Sequence, residues 1–187
     1  RDVLLVERFD RTPAGGRRMM VSALTILGLD PMAGRWATYH DLADVVRARF
    51  ANPAATLREL FARITFNIIV GNTDDHARNH SAFWDGERLT LTPGYDICPQ
   101  LRSGGVAAQA MEIGVDGYRW SNLAGCLSAA GTYLLDATQA REVIERQLAV
   151  VREGWRDAAD ECRLTAADRA HLWGRQILNP YALQDWD

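Results

Sequence analysis

Gly71-Asn-Thr-Asp-Asp-His-Ala-Arg-Asn-His80 sets two carboxylates, two imidazoles, a guanidinium and two amides within ten residues. What stands on either side of this stretch decides the fold. Upstream, Pro53 opens the most hydrophobic segment of the chain. Leu57, Leu60, Phe61, Ile64, Ile68 and Ile69 recur there at three- and four-residue steps, with Phe66 and Val70 widening the stripe. That spacing predicts a central core helix ending at Gly71. Downstream, Ser81-Ala-Phe-Trp84 and Arg88-Leu-Thr-Leu-Thr92 flank Asp85-Gly86 and predict a β-hairpin closed by Pro93. A polar run between a buried helix and a hairpin is held by rigid elements yet reaches solvent, where functional loops tend to sit.

The remaining segments read as helices and loops. Thr38-Tyr-His-Asp41 is a capping signal for a helix to about Phe50, with Leu42, Val45 and Val46 on its apolar side. Val21 to Gly28 reads as a short helix, Pro99 to Tyr118 as Gly-rich loop, and a small Ala-rich helix follows Ser121. Asp136 caps a long helix with Ile144, Leu148, Val151, Trp155 and Cys162 in phase. Thr165-Ala-Ala-Asp168 opens a last helix that ends before Asn179-Pro180. Asp2 to Asp10 is strand-like and bounded by the turn residues Thr12 to Gly16, although no neighbouring segment offers it a partner. The sum is one mainly α domain with a small β-hairpin.

Composition narrows the function classes. The 187 residues, 48% apolar and 24% charged with a net charge of −3, suit a domain with a sizeable core and exclude a disordered tail or a disulfide scaffold. No uncharged apolar run approaches the ~18 residues of a membrane-spanning helix. The acidic balance argues against direct nucleic-acid binding. Cys98, Cys126 and Cys162 lie far apart without metal-ligand spacing, which points to reduced thiols and a cytoplasmic setting; Cys98 reads as a small buried hydrophobe. All 21 basic residues are arginine, so no lysine serves as a Schiff-base former or phosphate-binding point charge. His40 and His171 read as surface residues on amphipathic helices.

Asp74 and Asn79 form D-x-x-x-x-N, the interval of the protein-kinase catalytic loop, in which the Asp accepts a hydroxyl proton and the Asn ligates magnesium. Asp96, after the second hairpin strand in Thr92-Pro-Gly-Tyr-Asp96, supplies a second hard oxygen ligand. Three motifs then carry a resemblance: Val6-Glu-Arg-Phe-Asp-Arg11, Gly71 to Asn79, and Leu91-Thr-Pro-Gly-Tyr-Asp96. In order and spacing they resemble the HipA family of bacterial serine/threonine kinases, the toxins of HipBA-type toxin–antitoxin modules. The resemblance covers most of the chain and is strongest over residues 3–96.

The resemblance implies the large C-terminal lobe of a protein-kinase-like fold over residues 1–187, with a hinge strand at 3–11 and a catalytic loop at 71–80. It implies an ATP- and Mg²⁺-dependent kinase acting on a Ser/Thr hydroxyl of a protein, such as a translation component, with a helix-turn-helix, HipB-like antitoxin as partner. Asp74 matches the catalytic aspartate, and Asn79 and Asp96 match the magnesium ligands. His76, Arg78 and Tyr95 match nucleotide-site residues, and Glu7, Arg8 and Phe9 match the adenine-binding hinge. Arg78 stands where lysine is common, and Asp75 where glycine is frequent; the interval to Asn79 favours Asp74 over Asp75 as the base. The phosphate-covering loop and its lysine, upstream in the family, are missing from these residues, so the lobe alone is expected to be inactive. Two other readings stay open. One is a non-catalytic, kinase-like module that binds an antitoxin or another protein. The other is a metal-dependent phosphohydrolase using Asp74, Asp75, His76 and His80.

Overall fold

The computed structural model describes residues 5–102 and 104–186. Its helices are α1 (Ala23–Ile26), α2 (Tyr39–Arg49), α3 (Pro53–Val70), α4 (Leu123–Ser128), α5 (Ala137–Glu161) and α6 (Ala166–Leu172), with single 3₁₀ segments at Pro31–Trp36 and Ala130–Tyr133. Strands β1 (Met19–Ser22), β2 (Ser81–Trp84) and β3 (Leu89–Leu91) form one antiparallel sheet in the order β1-β2-β3. None of the helices among the described residues is long and apolar enough to cross a membrane.

The core helix forms where its stripe predicts. Asn52 caps α3 by accepting from the Ala55 N–H, and Pro53 occupies the first turn, where a missing N–H costs nothing. Leu57, Leu60, Phe61, Ile64, Ile68 and Ile69 are all fully buried, between α2 on one side and α5 on the other. Gly71 ends the helix in the left-handed region, at φ +76. The other caps also fall at their signals: Thr38 on α2, and capping boxes Asp136–Gln139 on α5 and Thr165–Asp168 on α6.

The hairpin is present, turned by the Asp85 carboxylate accepting from the Glu87 and Arg88 N–H groups. It gains a third strand, whose last two residues the sequence reading assigned to a helix. Val21 and Ser22 pair with Ala82 and Ser81, and the helix after them keeps only Ala23 to Ile26. The strand expected over residues 3–11 is not formed in the described part of that range: 5–8 run irregularly, 9–10 turn, and Arg11 alone makes a bridge, to Arg17. Residues 3 and 4 lie outside the described residues. A strand needs a ladder partner, and among the described residues no ladder forms along this segment. Helix α6 stops at Leu172 rather than near Asn179. There Trp173 turns extended and stacks on Trp155 of α5 with ring centroids 5.2 Å apart, so a tertiary contact ends the helix early. Cys98 and Cys162 are exposed, and only Cys126 is buried.

Gly71 is held from a distant part of the chain. A Cβ added there would stand 2.4 Å from the Gln176 carbonyl oxygen and 2.9 Å from its carbon. Gly71→Ala therefore combines left-handed strain of about 1 kcal/mol with displacement of rigid backbone. Gly28→Ala, at φ +66 but with nothing within 4 Å, carries the strain alone. Urea denaturation is expected to show Gly71→Ala losing at least about 1 kcal/mol more than Gly28→Ala.

Candidate active site

The loop at 71–80 hangs from α3 and is stitched on both sides by backbone. Asn72 N–H donates to the Asn67 carbonyl at 2.8 Å, while Ala23 and Leu24 donate to the carbonyls of His80 and Ala77. Gln100 N–H donates to the Gly71 carbonyl at 2.9 Å. The loop therefore has a fixed path between the core helix and the sheet.

Its two adjacent carboxylates face different worlds. Asp75 is 3% exposed, and its Oδ2 accepts from the Tyr39 hydroxyl and from Asn67 Nδ2 at 2.7 Å, with His80 Nε2 at 2.9 Å. Burial pushes the Asp75 carboxyl up, but the hydrogen bond and charge of His80, the Tyr39 hydrogen bond and the charge of His76 outweigh it and hold it below the ordinary carboxylate value. Burial, and then the neighbouring Asp75 charge, drive the Tyr39 hydroxyl well up, so it stays a donor. Asp74 is exposed, and its carboxylate takes no hydrogen bond or ion pair among the described residues. Packing thus separates two residues that spacing alone distinguished only weakly: Asp75 is committed to structure and Asp74 is available.

Asn79 and Asp96 meet. Asn79 Nδ2 donates to Asp96 Oδ2 at 2.9 Å, across from loop to strand end. Asn79 is buried, and its N–H donates to the His76 carbonyl at 2.8 Å. Asp96 is exposed and sits at φ +58, a left-handed conformation that Asp tolerates better than most residues. Tyr95 locks the turn before it: its hydroxyl donates to the Arg78 carbonyl at 2.6 Å and lies 2.6 Å from Ser81 Oγ. Arg63 of α3 adds a hydrogen bond from Nη2 to the Thr92 carbonyl at 2.6 Å.

The other candidates divide. The Phe9 ring lies 6.0 Å from Tyr95 and 6.1 Å, edge-on, from Phe83, which carries the Arg18 guanidinium 3.4 Å over its face. His76 is half-buried, with its Nδ1 unpartnered among the described residues. Arg78 turns away to the Pro31 carbonyl, in the 3₁₀ segment. Glu7 is exposed, and Arg8 forms a two-pronged pair with Asp10 at 2.8 and 2.7 Å. Tyr39, Asn67 and Asn72 carry the site's internal bonding and were not singled out by motif. A lone amide inside the apolar stripe of α3 was the available signal for Asn67.

The donor set suits a hard cation. Asp96 offers a carboxylate and Asn79 an amide oxygen, and Mg²⁺ is commonly held by one or two carboxylates with phosphate oxygens completing the shell. Among the described residues no group of three His, Cys, Asp or Glu side chains could hold a metal, and Asp75 and His80 are spent on each other. The four-ligand phosphohydrolase cluster is not assembled.

The sequence matches the HipA-like C-terminal domain family over residues 1–155. It is 32% identical over 106 residues to the Y4mE protein of Sinorhizobium fredii, covering 52% of this chain and 25% of that one. It is 29% identical over 113 residues to the serine/threonine-protein kinase toxin HipA of Shewanella oneidensis, covering 50% and 26%. The fold superposes, at TM-score 0.74 and 19% identity, on a chain from the Shewanella oneidensis MR-1 complex of HipA, HipB and operator DNA, over 95% of this chain and 47% of that chain. The matches thus span about a quarter of each curated relative and about half of the solved chain.

The buried carboxylate makes stability acid-sensitive. An unfolded Asp titrates near ~3.9. Because the native value of Asp75 is lowered, its stabilising contribution is complete above that pH and disappears as pH falls through the lower native value. Tyr39→Phe removes one donor and is expected to cost about 1–3 kcal/mol at pH 7 in urea melts. Asp75→Asn should flatten the acid limb of the stability–pH curve; an unchanged limb would place the acid sensitivity elsewhere.

Proposed function

Because the chain belongs to the HipA-like C-terminal domain family, we propose that it is the large lobe of a HipA-type serine/threonine kinase. Residues 71–80 and Asp96 form its phosphotransfer site. The observation that carries this reading is the 2.9 Å contact between Asn79 and Asp96, with Asp74 exposed and unpartnered earlier on the same loop. These are the three positions at which the resemblance demands a base and two magnesium ligands.

In this reading Asp74 orients the incoming Ser/Thr hydroxyl and accepts its proton as the hydroxyl oxygen bonds to the γ-phosphorus of ATP and the bond to the β-phosphate oxygen breaks. Asn79 and Asp96 would hold Mg²⁺ through their side-chain oxygens, and the ion would supply neutralisation of phosphate charge. Tyr95 fixes the peptide backbone around both ligands, and Phe9 offers an apolar face beside it. Asp75 takes no chemical part. Its three hydrogen-bonding neighbours hold the loop so that Asp74 keeps its exposure, a division of labour that costs no reorganisation when substrate arrives.

The protein substrate, the HipB-like antitoxin, a cytoplasmic setting and a small lobe that covers the nucleotide belong to the same proposal. The antitoxin is supported by a structural neighbour that comes from a HipA–HipB–DNA complex; the rest is what the family resemblance implies. A non-catalytic binding module is the alternative, and it leaves Asp74 dispensable. In the protein expressed from its complete reading frame, Asp74→Asn is expected to lower kcat by at least about 100-fold with ATP affinity retained. Asp96→Ala is expected to abolish the Mg²⁺-dependent part of nucleotide binding. Phosphotransfer at the wild-type rate by Asp74→Asn would refute the assignment.

A further inference from the structure

Three side-chain clusters near the site are not used by the chemistry: the buried Asp75–His80–Tyr39 network, the Arg63 guanidinium beneath Thr92, and the Asn67–Asn72 amide pair. The last has a property the others lack, because it touches both halves of the site. Asn72 is 1% exposed. Its Oδ1 accepts the backbone N–H of Asp74 at 3.3 Å, and its Nδ2 donates to Asn67 Oδ1 at 3.1 Å and to the backbone carbonyl of Asp96 at 3.4 Å. Asn67 in turn donates to Asp75.

We propose that Asn72 is a positioning residue that sets the backbone of the base, Asp74, and of the metal ligand, Asp96, from one buried amide. The inference rests on the phosphotransfer reading and deepens it. Oxygen and nitrogen do separate jobs. The oxygen closes a two-residue Asx turn that fixes the Asp74 peptide. The NH₂ group reaches across to the segment that carries Asp96 at φ +58. The carbonyl of Asp96 belongs to the peptide leading away from the ligand, so the amide bond opposes relaxation of that strained turn. Sequence distance between 72 and 96 means that no local rule enforces this link; only the fold brings it about.

The two jobs can be separated by substitution. Asn72→Ser keeps an acceptor able to close an equivalent turn on the Asp74 N–H but cannot reach Asn67 or Asp96. Asn72→Ala loses both functions. The complete-reading-frame protein is tested by three measurements: amide hydrogen exchange at Asp74, Mg²⁺ dependence of binding a non-hydrolysable ATP analogue by calorimetry, and kcat at saturating Mg²⁺. Both variants are expected to need about ten- to a hundredfold more Mg²⁺ for half-maximal analogue binding. The Ser variant should retain slow Asp74 exchange and most of kcat, whereas the Ala variant should lose both. Equal loss of kcat in the two variants, or an unchanged Mg²⁺ requirement in a folded Ser variant, would overturn the proposal. Asp74→Asn is run alongside. If it keeps wild-type phosphotransfer, the kinase reading fails, while the exchange and metal-binding arms still decide the role of Asn72.

Discussion

One oxygen of Asp75 holds this site together. A carboxylate removed from water is costly unless donors replace its hydration. Here those donors come from three separate elements: the first turn of α2 (Tyr39), the last turn of α3 (Asn67), and the residue entering β2 (His80). Meeting that one demand fixes where a helix, the core and the sheet stand relative to the loop between them. It also sorts the two neighbouring acids. With Asp75 turned inward, the adjacent Asp74 projects to solvent, and one aspartate becomes structure while the other stays available for chemistry.

The second constraint is the pairing of a loop with a strand end. Asn79 is placed by the hydrogen bond from its N–H to the His76 carbonyl, and Asp96 by the Tyr95 hydroxyl, the Arg63 guanidinium and the Asn72 amide acting on the backbone around it. Most of these contacts are made to main-chain atoms, so side-chain identity at 95, 63 and 72 sets geometry at other positions. Arg78, by contrast, is turned away from this pairing, since its guanidinium reaches the Pro31 carbonyl.

Local patterns in the sequence read well where the physics is local. The stripe of α3, its Pro53 start and Gly71 end, the capping signals at Thr38, Asp136 and Thr165 and the Asp85-Gly86 hairpin each depend on residues within a few positions of one another, and each forms as its pattern predicts. The D-x-x-x-x-N interval and the placing of Asp96 were equally legible, and Asn79 and Asp96 do meet. Misreadings share the opposite cause. Met19–Ser22 became a strand because β2 offered it an edge, the strand expected at 3–11 lacked such a partner in the described residues, and α6 was cut short by Trp155 stacking on Trp173. The Asp75 network escaped because its donors sit at 39, 67 and 80, and no spacing rule connects them.

The account stands on a single cation shared by residues 79 and 96 beside residue 74. Replacing Mg²⁺ by paramagnetic Mn²⁺ tests it in solution. Wild-type protein from the complete reading frame, ¹⁵N-labelled and titrated with substoichiometric Mn²⁺ and a non-hydrolysable ATP analogue, is followed by NMR. The side-chain amide of Asn79 and the backbone amides of Asp74 and Asp96 should broaden away together, while the side-chain amide of Asn52, at the far end of α3, stays sharp. Persistent Asn79 and Asp96 signals, with broadening centred on another part of the molecule, would contradict the account.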